Sequence, residues 1–200
     1  MTNFVNGAAF DAPASRMLAL GADLSVARAI VDSRGNVLAH ARTGGMIDPQ
    51  RFELHPKSTI YRFGGAGRSP QEVAKGAWWI ERREFEHVIN FANTHGIFVG
   101  LAMRLLCLVP PEWSDASLLI RARVARSLVS WRGLANSVVT PMKGGSGFVR
   151  MPHQNEISAR RIHQLFIPGL SDLNSLEPPI SVEQVFRLDP NEGARGFLYL

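Results

Sequence analysis

The residues best suited to chemistry lie on a short segment that a glycine cluster ends. Residues 58–63, Ser-Thr-Ile-Tyr-Arg-Phe, are β-branched and aromatic, which predicts a strand, and Gly64-Gly65-Ala66-Gly67 follows directly. Arg62 would present a planar fork of donors that matches phosphate oxygens, and Gly64, which has no Cβ, would let a ligand approach the backbone. The segment therefore predicts an anion site, with a surface arginine beside a tight turn as the alternative.

Two adjacent tryptophans come next along the chain. Trp78 and Trp79 lie in Gly-Ala-Trp-Trp-Ile, which is typical of a strand, and residues 82–93 predict a helix because their apolar side chains recur at helical spacing. Large aromatic side chains dominate core packing, and they also form the walls of ligand pockets. Trp78 and Trp79 are therefore candidates for either role.

A third candidate region lies late in the chain. Residues 161–167 predict a strand on which Ile162, Gln164 and Phe166 share one face. Glu156 is a carboxylate that lies close to this strand in sequence. The histidines nearby do not reproduce a zinc-ligand spacing, so no metal site is predicted.

The elements that must position these residues follow from local patterns. Ser69 begins a helix, because Pro70 and Glu72 complete a capping box. The apolar run 97–109 predicts either a buried helix or a buried strand, since periodicity does not separate the two. The remaining predictions are a helix near residues 14–20, a hairpin from 29–31 and 37–39, a loop over 43–56, strands from residue 118, and a glycine-rich loop over 141–152 of the kind that often lies over a site.

This order of elements predicts an α/β (α+β) fold, a compact mixed sheet with flanking helices. The predicted organisation has an N-terminal arm and hairpin over residues 1–55, a core over 56–170, and a C-terminal tail over 171–200 that packs on the core.

Composition narrows the class of protein. The 200 residues are 46% hydrophobic, enough for a substantial core, and the single cysteine, Cys107, excludes an internal disulfide. The run from Ile97 to Val109 is shorter than the roughly 20 apolar residues that cross a bilayer. The N-terminus shows no secretory signal. The sequence therefore predicts a cytoplasmic protein, or one exported without a cleaved leader.

Positive charge is concentrated in one part of the chain. The net charge of +5 comes from 19 arginines and three lysines, and residues 118–161 hold eight of these cations against a single acid, Glu156. This pattern predicts a basic face that could attract nucleic acid, an acidic protein or a phosphate-bearing ligand. Its candidate residues are Arg121, Arg123, Arg126, Arg160 and Arg161.

The order of these motifs over residues 58–168 resembles the ADP-ribosyltransferase superfamily of toxins and effectors, many of them bacterial. In that superfamily an arginine on the first strand holds the phosphates or ribose of NAD, a second motif builds the nicotinamide pocket, and a glutamate on a late strand stabilises the cationic transition state. The resemblance implies the first role for Arg62 and the second for Trp78 and Trp79. Gln164 stands where the glutamate is expected, and the Ser-Thr-Ser signature of the arginine-specific branch is absent.

The resemblance thus implies a transferase or NAD glycohydrolase that uses NAD as its substrate. Cleavage of the bond between nicotinamide and ribose develops oxocarbenium character, which a carboxylate stabilises and a glutamine does not. Catalysis is then carried by Glu156 or another acid, is weak, or is lost in favour of ADP-ribose binding. The alternative function is a non-catalytic basic module that binds nucleic acid or an acidic protein through the five arginines of the basic face.

Overall fold

The computed structural model describes residues 3–21, 29–65, 67–144, 147–151, 162–173 and 177–189. The helices of these ranges are α1 (Gly7–Asp11), α2 (Pro13–Ala19), α3 (Pro70–Ala74), α4 (Arg82–His95) and α5 (Val99–Cys107). The strands are β1 (Ala29–Val31), β2 (Val37–His40), β3 (Arg42–Thr43), β4 (Met46–Leu54), β5 (Thr59–Gly64), β6 (Trp78–Glu81), β7 (Leu118–Val124), β8 (Leu128–Ala135), β9 (Val138–Pro141), β10 (Phe148–Met151), β11 (His163–Phe166) and β12 (Ile180–Arg187).

One large sheet organises the fold. It has seven strands in the order β12-β7-β5-β6-β11-β8-β4, and every neighbouring pair is antiparallel. A three-stranded sheet, β10-β9-β3, and the β1–β2 hairpin complete the strand pairing of the described residues. Helices flank the large sheet, so the predicted α+β class is confirmed.

Local sequence signals account for several elements. The Ser69 hydroxyl accepts a hydrogen bond from the Glu72 backbone N–H at 3.3 Å, and Glu72 Oε2 accepts one from the Ser69 backbone N–H at 2.7 Å, which forms the predicted capping box of α3. α4 ends at Gly96, whose φ of 62° suits a residue without a Cβ. The ambiguous run 97–109 contains helix α5, which is buried on most sides.

Alternate residues of the central strands face two separate cores. Ile60, Trp79 and Leu165 pack on one face of the sheet with α3. Tyr61 and Ile80 pack on the other face against α4 and α5. The predicted alternation of β11 is confirmed, because Leu165 and Phe166 belong to different clusters.

The middle of the large sheet is split. β5 pairs with β7 through six residue pairs but with β6 through only two, Ile60 with Glu81 and Tyr61 with Ile80. Beyond these pairs the two strands continue to Gly64 and back to Trp78 without a ladder between them. The split leaves room for side chains between the two strands.

The predicted loop over residues 43–56 is wrong, because most of it is strand β4. Only three of its nine residues are buried, since β4 is an edge strand, and its sequence therefore lacks the alternation that indicates a strand. Pro49 lies in a bulge between Ile47 and Gln50, where a ladder hydrogen bond is not needed.

The predicted loop over residues 141–152 is also wrong in part. β10 pairs with β9 in an antiparallel hairpin, with Val149 opposite Thr140. Residues 145–146 and 152 lie outside the described part of the chain. Composition predicts a loop here because the segment before β10 is short and rich in glycine.

After the last loop, the chain returns to the large sheet as an edge strand. β12 pairs with β7 from Ile180 opposite Val124 to Arg187 opposite Leu118. β7 carries Arg121 and Arg123 of the predicted basic face, so β12 lies beside these two residues. Within the described ranges, no helix has the length and apolar character needed to cross a membrane.

Candidate functional site

A cavity of about 410 Å³ opens beside the split between β5 and β6, and we call it the central cavity. Residues of β5, β6 and β11 line it together with the C-terminal end of α5 and the loop that follows. Its lining is mainly apolar, with a few polar groups, as in typical small-molecule sites. The predicted site residues among the lining are Arg62, Trp78, Trp79 and Gln164.

Among the described residues that line the cavity, Arg62 is the only cation. Its Nη1 donates a hydrogen bond to the Trp78 carbonyl across the split in the sheet. Its Nε is shielded from solvent and has no hydrogen-bond partner in the described chain. Burial, and then the positive charge of Arg68, lower the pKa of Arg62 to about 10. Because removing a charge from water is costly unless the charge is paired, the partly buried Arg62 favours an anionic ligand in the cavity.

Gly76 fixes the place of the Arg62 side chain. A Cβ at Gly76 would lie 2.0 Å from Arg62 Nη2 and 2.2 Å from Cζ, so no larger residue fits while the guanidinium stays where it is. The Gly76 carbonyl accepts a hydrogen bond of 2.7 Å from the Trp79 indole. The contact of Gly76 with Arg62 depends on tertiary structure that no local pattern reveals.

The two tryptophans occupy different environments. Trp78 is half-buried and packs edge-on against Phe166, with ring centroids 5.1 Å apart, so these two rings form an aromatic wall. Trp79 is 2% exposed and belongs to the core on the α3 face. Trp79 therefore matches the core alternative weighed for it, although part of the residue borders the cavity.

Gln164 lies deep in the cavity and is 8% exposed. Its amide Nε2 donates a hydrogen bond of 2.8 Å to the Cys107 carbonyl at the end of α5. This bond fixes the orientation of the amide. Burial, and then the charge of Glu84, raise the pKa of the Cys107 thiol to about 12, so the thiol stays protonated.

None of the described residues that line the cavity is a carboxylate. Glu84 does not line the cavity, but its charge helps to raise the pKa of Cys107, which does. Glu84 Oε1 is paired with Arg132 Nη2 at 3.1 Å and contacts His163 Nδ1 at 3.3 Å. Arg132 also pairs with Glu81 at 2.6 Å, so one arginine is shared by two carboxylates, and this cluster joins α4 to the sheet.

Two other predicted site residues do not join this group. Gly64 does not line the cavity, contrary to prediction. The space that its Cβ would fill is taken by Val73, whose Cγ2 would lie 2.6 Å away, so Gly64 permits close packing of α3 on β5. Glu156 lies outside the described residues.

Trp113 is a lining residue that the motifs did not indicate. It lies on the loop between α5 and β7 and is 46% exposed. The signal in the sequence is a lone tryptophan between the polar residues Glu112 and Ser114, two positions after a pair of prolines. An exposed aromatic in such a loop is typical of a binding residue.

The arginines of the predicted basic face are partly neutralised. Arg121 and Arg123 both pair with Glu183 of β12, the first at 3.4 Å, and Arg121 also donates to the Gln184 side chain at 3.2 Å. Arg126 lies 4.0 Å from Glu177. Arg160 and Arg161 lie outside the described residues. This arrangement weakens the case for a nucleic-acid site on β7.

A search of the described ranges finds no group of three or more histidine, cysteine, aspartate or glutamate residues placed to hold a metal ion. The candidate site is the central cavity, which is defined by a partly buried arginine, an aromatic wall and an oriented amide.

Comparisons with known proteins add little to this description. No family model and no curated protein matches the chain. Among solved structures, the chain is similar to Rhs1-CT in complex with its cognate immunity protein RhsI1, at 13% identity and a TM-score of 0.40, over 77% of this chain and 89% of that one. It is also similar to Tne2 in complex with Tni2, at 7% identity and a TM-score of 0.35, over 71% of this chain and 95% of that one. Likenesses this distant carry no conclusion about activity.

Proposed function

We propose that this chain binds NAD in the central cavity and uses it as the substrate of ADP-ribosyl transfer or hydrolysis. The observation that carries the proposal is Arg62, a partly buried cation that lines the cavity between two strands of the sheet. A pyrophosphate would supply the negative counter-charge and the hydrogen-bond acceptors for this guanidinium. The toxin or effector setting implied by the resemblance stays a prediction.

The remaining lining fits the other parts of NAD. The aromatic wall of Trp78 and Phe166 offers apolar area on which a nicotinamide ring can pack. A volume of about 410 Å³ lies within the range of small-molecule sites. A cavity of this kind favours a ligand that combines planar rings with an anionic group.

The oriented amide of Gln164 supports a role at the ribose. With its Nε2 held by the Cys107 carbonyl, the amide would present Oε1 to a ribose hydroxyl. An amide dipole stabilises a developing oxocarbenium less than a carboxylate does, because it carries no net charge. Slow cleavage of NAD is therefore expected from the described residues alone.

Calorimetric titration with NAD and with ADP-ribose tests this function. We expect saturable binding to the wild-type protein and a loss of roughly tenfold or more in affinity for Arg62→Ala, since hydrogen bonds to charged groups are worth about 1.5–3 kcal/mol. Arg123→Ala is the matched control, because Arg123 also lies on a strand of the same sheet but pairs with Glu183. Equal loss in both variants, or no binding to the wild type, would contradict the proposal. If the wild type binds NAD, a measurement of nicotinamide release would show whether it is an enzyme or only a binding protein.

A further inference from the structure

We propose that Trp113 forms an aromatic subsite at the mouth of the central cavity, where it stacks on the adenine ring of bound NAD. This inference rests on the proposed function and adds the second half of the ligand to it. Trp113 borders the same cavity as Arg62 and Gln164 but comes from a different part of the fold, the loop between α5 and β7.

Exposure sets the direction in which the ligand would lie. Gln164 and Trp79 are 8% and 2% exposed, whereas Trp113 is 46% exposed. The reacting ribose must reach the buried end of the cavity, near Gln164. The other ring system of a dinucleotide, joined to it through the pyrophosphate, must then lie toward solvent, where Trp113 is.

The Trp113 ring is held in place before any ligand arrives. Its Nε1 donates a hydrogen bond of 3.3 Å to Thr140 Oγ1 on β9. A Cβ at Gly44 would lie 3.8 Å from Trp113 Cη2, so the far edge of the ring lies over the turn between β3 and β4. A ring fixed at both edges loses little conformational entropy when it stacks on a base, which favours binding.

The loop that carries Trp113 is itself anchored from the core. Arg104 is 1% exposed and donates to two backbone carbonyls of the loop, to Ser114 at 2.5 Å and to Val109 at 3.4 Å. Leu108 turns the chain out of α5 with a φ of 53°, a conformation that is costly for leucine. A buried arginine and a strained residue are thus both used to place this loop beside the cavity.

Adenine is the chemical group that fits this position. Purines stack on tryptophan through their π-faces, and this stacking survives in water because both surfaces are broad and planar. A half-exposed indole at the cavity mouth offers such a face. A ligand that lacks the adenylate half, such as nicotinamide mononucleotide, would not reach it.

The experiment compares three ligands, NAD, ADP-ribose and nicotinamide mononucleotide, on the wild type, Trp113→Ala and Trp113→Phe by calorimetric titration. We expect Trp113→Ala to weaken NAD and ADP-ribose about tenfold, the scale of base stacking on an aromatic side chain. Nicotinamide mononucleotide should bind the wild type and Trp113→Ala equally, and Trp113→Phe should keep most of the affinity for NAD. Phe186→Ala is the matched control, because Phe186 is 44% exposed on β12 and does not line the cavity.

Three results would overturn the subsite. If Trp113→Ala weakened all three ligands equally, Trp113 would contact a part that all three share. If it changed the binding of none of them, Trp113 would not contact the ligand. A loss in Trp113→Phe as large as in Trp113→Ala would show that the contact is not stacking. In each of these cases the Arg62→Ala result still decides the proposed function, whereas a wild type that binds none of the ligands would refute both proposals.

Discussion

Arg62 shows how much of this site depends on a single side chain held by its neighbours. The guanidinium spans the split between β5 and β6, donates to the Trp78 carbonyl and keeps its Nε unpaired. Gly76 makes this placement possible, because a Cβ there would overlap the guanidinium. The position of the Arg62 guanidinium is therefore set by Gly76, a residue that has no side chain with which to bind a ligand.

Gly76→Ala should displace Arg62 without unfolding the protein. The overlapping atoms belong to the flexible end of a long side chain, and the backbone of Gly76 does not have a positive φ, so alanine is compatible with its conformation. We expect NAD affinity to fall about as far as in Arg62→Ala, by roughly tenfold or more. The melting temperature should change little. Calorimetry and thermal unfolding of the same variant would measure the two effects.

Gly67→Ala provides the control for this substitution. A Cβ at Gly67 would meet no heavy atom within 4 Å, so the variant should bind NAD as the wild type does. Unchanged NAD binding in Gly76→Ala would show that Arg62 does not need its present position, and would contradict this account of the site.

At the scale of elements, β12 supplies a negative charge to the arginines of β7. Two arginines that look free in the sequence share Glu183 as their partner. The third, Arg126, has only a long contact with Glu177, which is 83% exposed. The strand therefore reduces the positive charge of this edge of the sheet.

Glu183→Gln should restore that charge. We expect the variant to bind heparin or single-stranded DNA more tightly at low salt, with an affinity that falls steeply as salt rises, because two arginines lose their counter-charge. The free energy of unfolding should fall by about 1 kcal/mol or less, since these pairs are partly exposed. Salt-dependent binding measured by fluorescence anisotropy would test this.

Glu177→Gln should leave both properties as they are, because the Arg126 contact is long and exposed. If the wild type already bound nucleic acid as tightly as Glu183→Gln, the alternative function of a basic module would regain its support.

Elements with local signals could be predicted, and those without could not. The capping box at Ser69 and the apolar face of α4 are encoded within a few residues, so these helices are where the sequence places them. Strand β4 was missed because an edge strand needs few buried residues. Arg62, Trp78 and Gln164 could be chosen by type, but the Gly76 contact and the position of Trp113 arise from segments far apart in sequence. No pattern along one element encodes such contacts.

At the scale of the whole molecule, the lone cysteine is a reporter of global unfolding. Cys107 lies at the end of α5, is 8% exposed and borders the central cavity. Burial, and then the charge of Glu84, raise its pKa from 9.0 to about 12. The folded protein therefore holds this proton over a range of pH in which the unfolded chain releases it.

The free energy of unfolding should consequently fall as pH rises from about 9 toward 12, by up to about 1.4 kcal/mol per pH unit from this group. The sign follows because the folded state binds more protons than the unfolded state in this window. Urea denaturation of the wild type and of Cys107→Ala at several pH values would measure the difference. The opposite contribution of Arg62, whose pKa is lowered, is common to both proteins and cancels. Parallel pH curves for the two proteins would contradict the expected shift.

The split in the large sheet also has a mechanical meaning. Three strands, β12-β7-β5, and four strands, β6-β11-β8-β4, meet along a junction of two residue pairs. The hydrogen bond from Arg62 to the Trp78 carbonyl connects these two groups of strands beyond that junction. The ladder between β6 and β11 is equally short, at two residue pairs, so a load applied across the sheet would concentrate on the two sides of β6, which lines the cavity, and the resistance of the β5 side depends on what holds Arg62.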